Sequence, residues 1–134
     1  MIELIPEKGQ FYKTNLHCHT NISDGTRTPE EVKAFYKAHG YSAVCFTDHE
    51  VLMDQSALCD ADFVALHGYE VAIKQDVHRH TGWFMPVYHF NMIAKDPGNL
   101  TMPRFFRDNP SYPGNARAWM EKSAQYDEVI PTTE

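Results

Sequence analysis

Residues Thr14 to Thr28 read TNLHCHTNISDGTRT, and two later stretches, CFTDHE at Cys45 to Glu50 and HGYE at His67 to Glu70, repeat its pattern of metal-ligating residue types at the end of an apolar run. His17 and His19 stand two apart, and on a β-strand that spacing sets both imidazoles on one face, roughly 7 Å apart along the chain. Two rings so placed can grip one metal ion. Cys18, between them, must then face the other way.

Outward from this stretch the chain alternates between strand and helix signals. Tyr12 to Cys18 reads as a first strand, followed by a polar loop containing Asp24-Gly25. Thr28-Pro29-Glu30-Glu31 then marks a helix start: threonine caps, proline fits the first position and Glu31 completes a capping box. Val32, Phe35, Tyr36 and His39 recur at helical spacing up to Gly40, which supplies the stop. Ser42 to Thr47 is a second strand, Gln55 to Asp60 a short helical turn, and Phe63 to Leu66 a third strand ending at Gly68-Tyr69-Glu70. This order predicts a parallel α/β sheet wrapped by helices, open or closed as a barrel. Val71 to Val77 and Pro86 to Ala94 are predicted to pair as a hairpin around an exposed connection, His78 to Met85. From Asp96 the text turns loop-like and contributes little apolar mass, apart from a helix expected at about Ala116 to Tyr126. Asp127 to Glu134 reads as a polar tail.

The chain's 134 residues fit one domain, 1–134, with a real core. A net charge of -6 and a pI near 5.7 argue against a broad nucleic-acid surface. The opening MIELIPEKGQFYK lacks the apolar core of a signal peptide, and no run reaches membrane-spanning length, so a cytoplasmic protein without a membrane partner is expected. Cys18, Cys45 and Cys59 are odd in number and show no C-x-x-C spacing, which suits reduced thiols rather than disulfides or a thiolate zinc site.

In parallel α/β folds, ligand sites collect at the carboxyl ends of strands. His17 and His19 end the first strand, Asp24 follows in its loop, His49 follows the second and Glu70 the third, with His89 of YHFN available from a later strand. Imidazole and carboxylate without thiolate suit zinc, manganese or iron. Such ions acidify a bound water and neutralise phosphoryl charge, which is the chemistry of phosphate-ester hydrolysis. Taken singly each residue has an ordinary reading: a surface histidine pair, an Asp-Gly turn, a capped turn at Thr47-Asp48-His49, a solvated charge at Glu70. Their joint placement after three successive strands carries the metal hypothesis. His39 is read as a helix-end group, His67 as a partly buried neighbour of the third strand, and His78 and His80 as exposed loop residues. Arg27 is read as a loop arginine in preference to a phosphate ligand, and Phe105, Phe106, Tyr112 and Trp119 as packing.

Together His17-Cys18-His19 with Ser23-Asp24-Gly25, Thr47-Asp48-His49 and Gly68-Tyr69-Glu70 resemble the polymerase and histidinol phosphatase (PHP) family, over about Lys13 to Pro97. The resemblance implies a distorted (β/α)7 TIM-like barrel whose strand ends hold up to three divalent ions (Zn, Mn or Fe) and hydrolyse phosphate esters through a metal-bound hydroxide. No catalytic residue beyond the metal ligands is implied. Carried over by position, it puts His17 and His19 on one ion, Glu70 between that ion and a second held by His89, and Asp24 with His49 on a third. The family continues to a His-Pro pair and a closing Asp-x-His, and neither follows His89 here. By that assignment each ion lacks one ligand.

A complete barrel of this kind needs on the order of 200 residues or more. The expectation is therefore the N-terminal portion of an incomplete barrel, as part of a longer enzyme or, less favoured, self-associating through an exposed sheet edge. A small phosphorylated molecule or nucleotide is the expected substrate. An amidohydrolase-type metal hydrolase and a metal-binding fragment without turnover are the competing readings.

Overall fold

The computed structural model describes residues 8–74, 87–103 and 125–127. Along these the chain forms β1 (Thr14–Cys18), α1 (Pro29–Ala38), β2 (Ala43–Phe46), a 3-10 turn (Ser56–Leu58), β3 (Val64–Lys74), β4 (Val87–Ile93), β5 (Thr101–Pro103) and β6 (Gln125–Asp127). No helix among them is long and apolar enough to cross a membrane.

The start of α1 is built as its sequence requires. The Thr28 hydroxyl accepts from the Glu31 N–H at 3.2 Å, and the Glu31 carboxylate accepts from the Thr28 N–H at 2.8 Å. Two of the donors that a helix start leaves unpaired are thereby satisfied. At the other end Gly40 takes φ +76° and its N–H reaches the Lys37 carbonyl at 3.0 Å. A side chain would resist that conformation. The His39 ring donates from Nδ1 to the Phe35 carbonyl at 2.7 Å, closing the last turn.

Four strands form one sheet in the order β1-β2-β3-β4. The first three are parallel, with Thr14 opposite Ala43 and Ala43 opposite Val64. β4 runs antiparallel to β3, from Gly68 opposite Ile93 to Lys74 opposite Val87. The arrangement is mixed α/β and compatible with part of a TIM-like barrel. α1 covers one face through Val32 and Tyr36, over a core of Val44, Phe46, Leu58, Phe63 and Ala65 that Cys18 also joins. A second cluster on β3 gathers Leu52, Tyr69, Val71 and Met102. Ala65, Tyr69 and Val71 thus serve the apolar side, and the two-residue period of a strand sends Glu70 to the opposite one.

Among the described residues β1 lies at the edge of the sheet, and its pairing with β2 slips between Asn15 and Cys18. The Asn15 amide folds back along that edge, donating to the His17 carbonyl at 3.0 Å and to the Tyr36 hydroxyl at 2.7 Å. A side chain thus serves backbone that a further strand would otherwise pair.

Several expectations need correction. The third strand does not end at Glu70: it continues to Lys74, because the segment after Glu70 is the first arm of the predicted hairpin and no turn separates the two. The predicted helical turn shortens to Ser56–Leu58. The loop-like stretch after Asp96 contains β5, and its Met102 is fully buried beneath Leu52 and Tyr69. Gln125 and Tyr126, expected at the end of a helix, lie in β6, parallel to β5. A three-residue strand shows no periodicity to detect, since its partner alone stabilises it. The rest of that helix and the connection His78 to Met85 lie outside the described residues.

Candidate metal centre

Three backbone devices bring the candidate ligands together. The first is the end of β1. There the His17 ring meets the Thr47 hydroxyl from Nδ1 at 2.8 Å, leaving Nε2 turned inward, and the same hydroxyl accepts from the Cys18 N–H at 3.1 Å. Cys18 itself packs on the helix side, as its position between two inward histidines demands. Burial raises its pKa and pushes the Cys45 thiol up to about 11, so both stay protonated and neither is disposed to ligate.

The second device is the turn that carries Asp24. Asp48 is buried, and its carboxylate accepts from the Thr20 N–H at 2.7 Å, the Thr20 hydroxyl at 2.9 Å, the Ser23 N–H at 3.2 Å and the Ser23 hydroxyl at 2.8 Å. The turn closes with the Gly25 N–H on the Thr20 carbonyl at 2.8 Å, and a Cβ on Gly25 would stand only 2.7 Å from the His19 carbonyl oxygen. Glycine is required there. Asp24 is consequently held beside His19, with Oδ1 at 2.7 Å from Nδ1. Partial burial pulls the Asp24 pKa upward, but the His19 hydrogen bond and the charges of His49 and His19 outweigh it and hold the carboxyl below its usual range.

The third device fastens the loop after β2 to β3. The Glu70 N–H donates to the Asp48 carbonyl at 3.1 Å, the Glu50 N–H to the Glu70 carbonyl at 2.9 Å, and the Ala72 N–H to the Glu50 carboxylate at 2.8 Å. Glu50 adopts φ +53° to make its contacts. His49 and Glu70 are thus sutured on both sides.

Glu70 sits at the centre, its side chain 6% exposed. Oε1 lies 2.9 Å from His89 Nδ1 and 3.9 Å from His17 Nε2; Oε2 lies 2.9 Å from His19 Nε2 and 3.1 Å from His49 Nδ1. His19 Nε2 and Glu70 Oε2 are both buried and lack hydrogen-bond geometry despite their proximity. Two neighbouring polar atoms held out of water without a hydrogen bond are costly unless something else satisfies both. Three sets of ligand atoms lie within 4.8 Å of one another: His17, His19 and Glu70; His19, Asp24 and His49; His49, Glu70 and His89. Burial, then the charge of His19, lowers the His49 pKa, which favours the neutral ring that ligation requires. These residues fit divalent ions in position and chemistry.

The structure brings all six sequence candidates, His17, His19, Asp24, His49, Glu70 and His89, to one place. One detail differs from expectation: Glu70 lies inside a continuous strand rather than after one. Its side chain is buried, which sets aside the ordinary reading of a solvated charge. Arg27 stacks over the Phe35 ring at 4.6 Å, a helix contact. His67 is buried on the apolar side of β3, outside the three ligand sets. Sequence reasoning missed the residues that hold the ligands: Thr47, Asp48 and Glu50. Their signal was contiguity with His49 in TDHE, which a capped turn explains equally well until the partners at Thr20, Ser23 and Ala72 are seen.

Comparison with curated proteins and with solved structures found no significant match. The family model for the PHP domain matches residues 15–130, which include every residue of the site. The chain therefore belongs to the PHP domain family.

Proposed function

We propose that this chain is a metal-dependent phosphoesterase acting on a small phosphate monoester or short nucleotide ester. The observation that carries the reading is Glu70: a buried carboxylate whose two oxygens each face two imidazoles, with the Oε2 and His19 Nε2 pair satisfied by no hydrogen bond. Divalent ions in such a site supply an acidified water and positive charge against phosphoryl oxygens. The protein's own part is placement. Thr47 orients His17, Asp24 orients His19, and the hydrogen bonds around Glu50 hold Glu70 rigid. His17 and His89 are each 48% exposed, so the substrate approaches from their side, while the half-buried His19 and the buried Glu70 form the floor.

The test is hydrolysis by purified protein loaded with manganese or zinc, with an aryl phosphate in one assay and amide and lactone substrates in another. Phosphate release that disappears in His17→Ala and His19→Ala is expected. Turnover of the amide or lactone alone would replace the reading with an amidohydrolase-type one. Bound ion with no turnover of any substrate would leave a metal-binding module.

A further inference from the structure

β4 reads VYHFNMI, and its two strongly polar residues are His89 and Asn91. They stand two apart on a strand and so share a face. That face is the one Glu70 occupies: His89 Nδ1 lies 2.9 Å from Glu70 Oε1, and Asn91 is the direct antiparallel partner of Glu70. Side chains of such partners rise on the same side of the sheet, with Cβ atoms roughly 4.5–5.5 Å apart. Met92, the next residue, points to the other face and packs against the cluster of Leu52 and Tyr69.

Local structure gives asparagine no reason to be there. Strand interiors disfavour it, and its structural uses are turns, caps and left-handed backbone. The β3–β4 ladder keeps its register from Gly68 to Lys74, and Asn91 does not take a positive φ. The residue is exposed, and its amide bonds to no other described residue. Glu70 is no exception, because its oxygens face the four imidazoles. The amide therefore offers two N–H donors and a carbonyl oxygen to whatever lies over the centre. A neutral donor suits the place. A lysine there would pair with Glu70 and compete with ions for its charge, whereas an amide donates to an anion and leaves the carboxylate alone.

We propose that Asn91 contacts the substrate, its amide donating a hydrogen bond to a phosphoryl oxygen of an ester bound on the side of His17 and His89. The proposal rests on the phosphoesterase reading above for the kind of ligand, and it gives Asn91 no part in holding ions.

Inorganic phosphate, the product of that reaction, is the probe. Its phosphorus NMR line broadens beside bound manganese, which gives a binding constant for the manganese-loaded protein without turnover, and native mass spectrometry counts the ions per chain. Asn91→Ala should bind phosphate about tenfold more weakly, the worth of one hydrogen bond to a charged group, with the ion count of wild type. Asn91→Asp, alike in shape but negatively charged, should bind it more weakly still. Asn91→Thr, which keeps a donor and suits a strand, should fall between alanine and wild type. In hydrolysis of an aryl phosphate the loss in Asn91→Ala should appear in KM. Wild-type phosphate affinity in Asn91→Ala and Asn91→Asp, or an ion lost from Asn91→Ala, overturns the contact and leaves the phosphoesterase reading standing. Phosphate bound by wild type and weakened in Asn91→Ala, with no turnover of the aryl phosphate, keeps the contact and defeats that reading. A wild-type chain that binds no phosphate defeats the contact.

Discussion

Asp48 illustrates how much of this site depends on a residue that touches none of its proposed ions. Its buried carboxylate collects four donors from Thr20 and Ser23, two of them backbone N–H groups, of which that of Ser23 is shared with the Thr20 carbonyl at 3.2 Å. In Asp48→Ala those donors lose their acceptor in a dry environment, and each such loss costs about 1–3 kcal/mol. A destabilisation of about 3 kcal/mol or more is expected for the metal-free protein in urea unfolding. Asp48→Asn should do less damage, because the amide oxygen still accepts while its NH2 confronts donors. Equal stability of wild type and Asp48→Ala would show that the turn is held by other means. None of this was legible beforehand: Asp48 and His49 are neighbours in sequence with opposite tasks, and only their partners tell them apart. The convergence of the candidate ligands was legible, because imidazole and carboxylate at successive strand ends have few structural uses in combination.

At the scale of elements, what could be read ahead was whatever local chemistry decides. Thr28, Pro29 and Glu31 announced the start of α1, Gly40 its end, and both are as drawn. The hairpin of β3 and β4 was legible too, although its first arm proved continuous with the strand that carries Glu70. What escaped was non-local: β5 and β6 are three residues each and are separated by more than twenty positions, so neither has a pattern of its own. The cap of α1 gives the measurable case. Thr28→Ala removes one reciprocal hydrogen bond and should lower stability by about 1 kcal/mol. Thr28→Ser, which keeps the hydroxyl, should recover most of it. The same urea transition reads both, and a full loss in the serine variant would mean that the methyl contact rather than the cap matters.

For the molecule as a whole, β3 separates two environments, apolar clusters on one face and a charged, histidine-lined floor on the other, and the floor is the part that solution conditions reach. Burial and the His19 charge lower the His49 pKa from 6.5, so the folded state prefers the neutral ring. As pH falls through 6.5 the unfolded chain takes up that proton first. The stability that His49 contributes is therefore present above 6.5 and is lost on acidification toward its folded pKa. Ions add to the same trend, because they bind the neutral ring and protons compete with them. Zinc at about 100 times its dissociation constant should stabilise the protein by about 2.7 kcal/mol per site at neutral pH, and a chelator should reverse the gain. At about pH 5 most of that increment should vanish, since an ordinary histidine is largely protonated there. Urea midpoints with and without zinc at the two pH values measure the increment, and a histidine ring titration by NMR in the metal-free protein measures His49 directly. A midpoint for His49 above 6.5 would remove the acid-linked loss of stability assigned to that ring, and a zinc increment that persists undiminished in acid would mean that the histidine-lined centre is not the place where the ions bind.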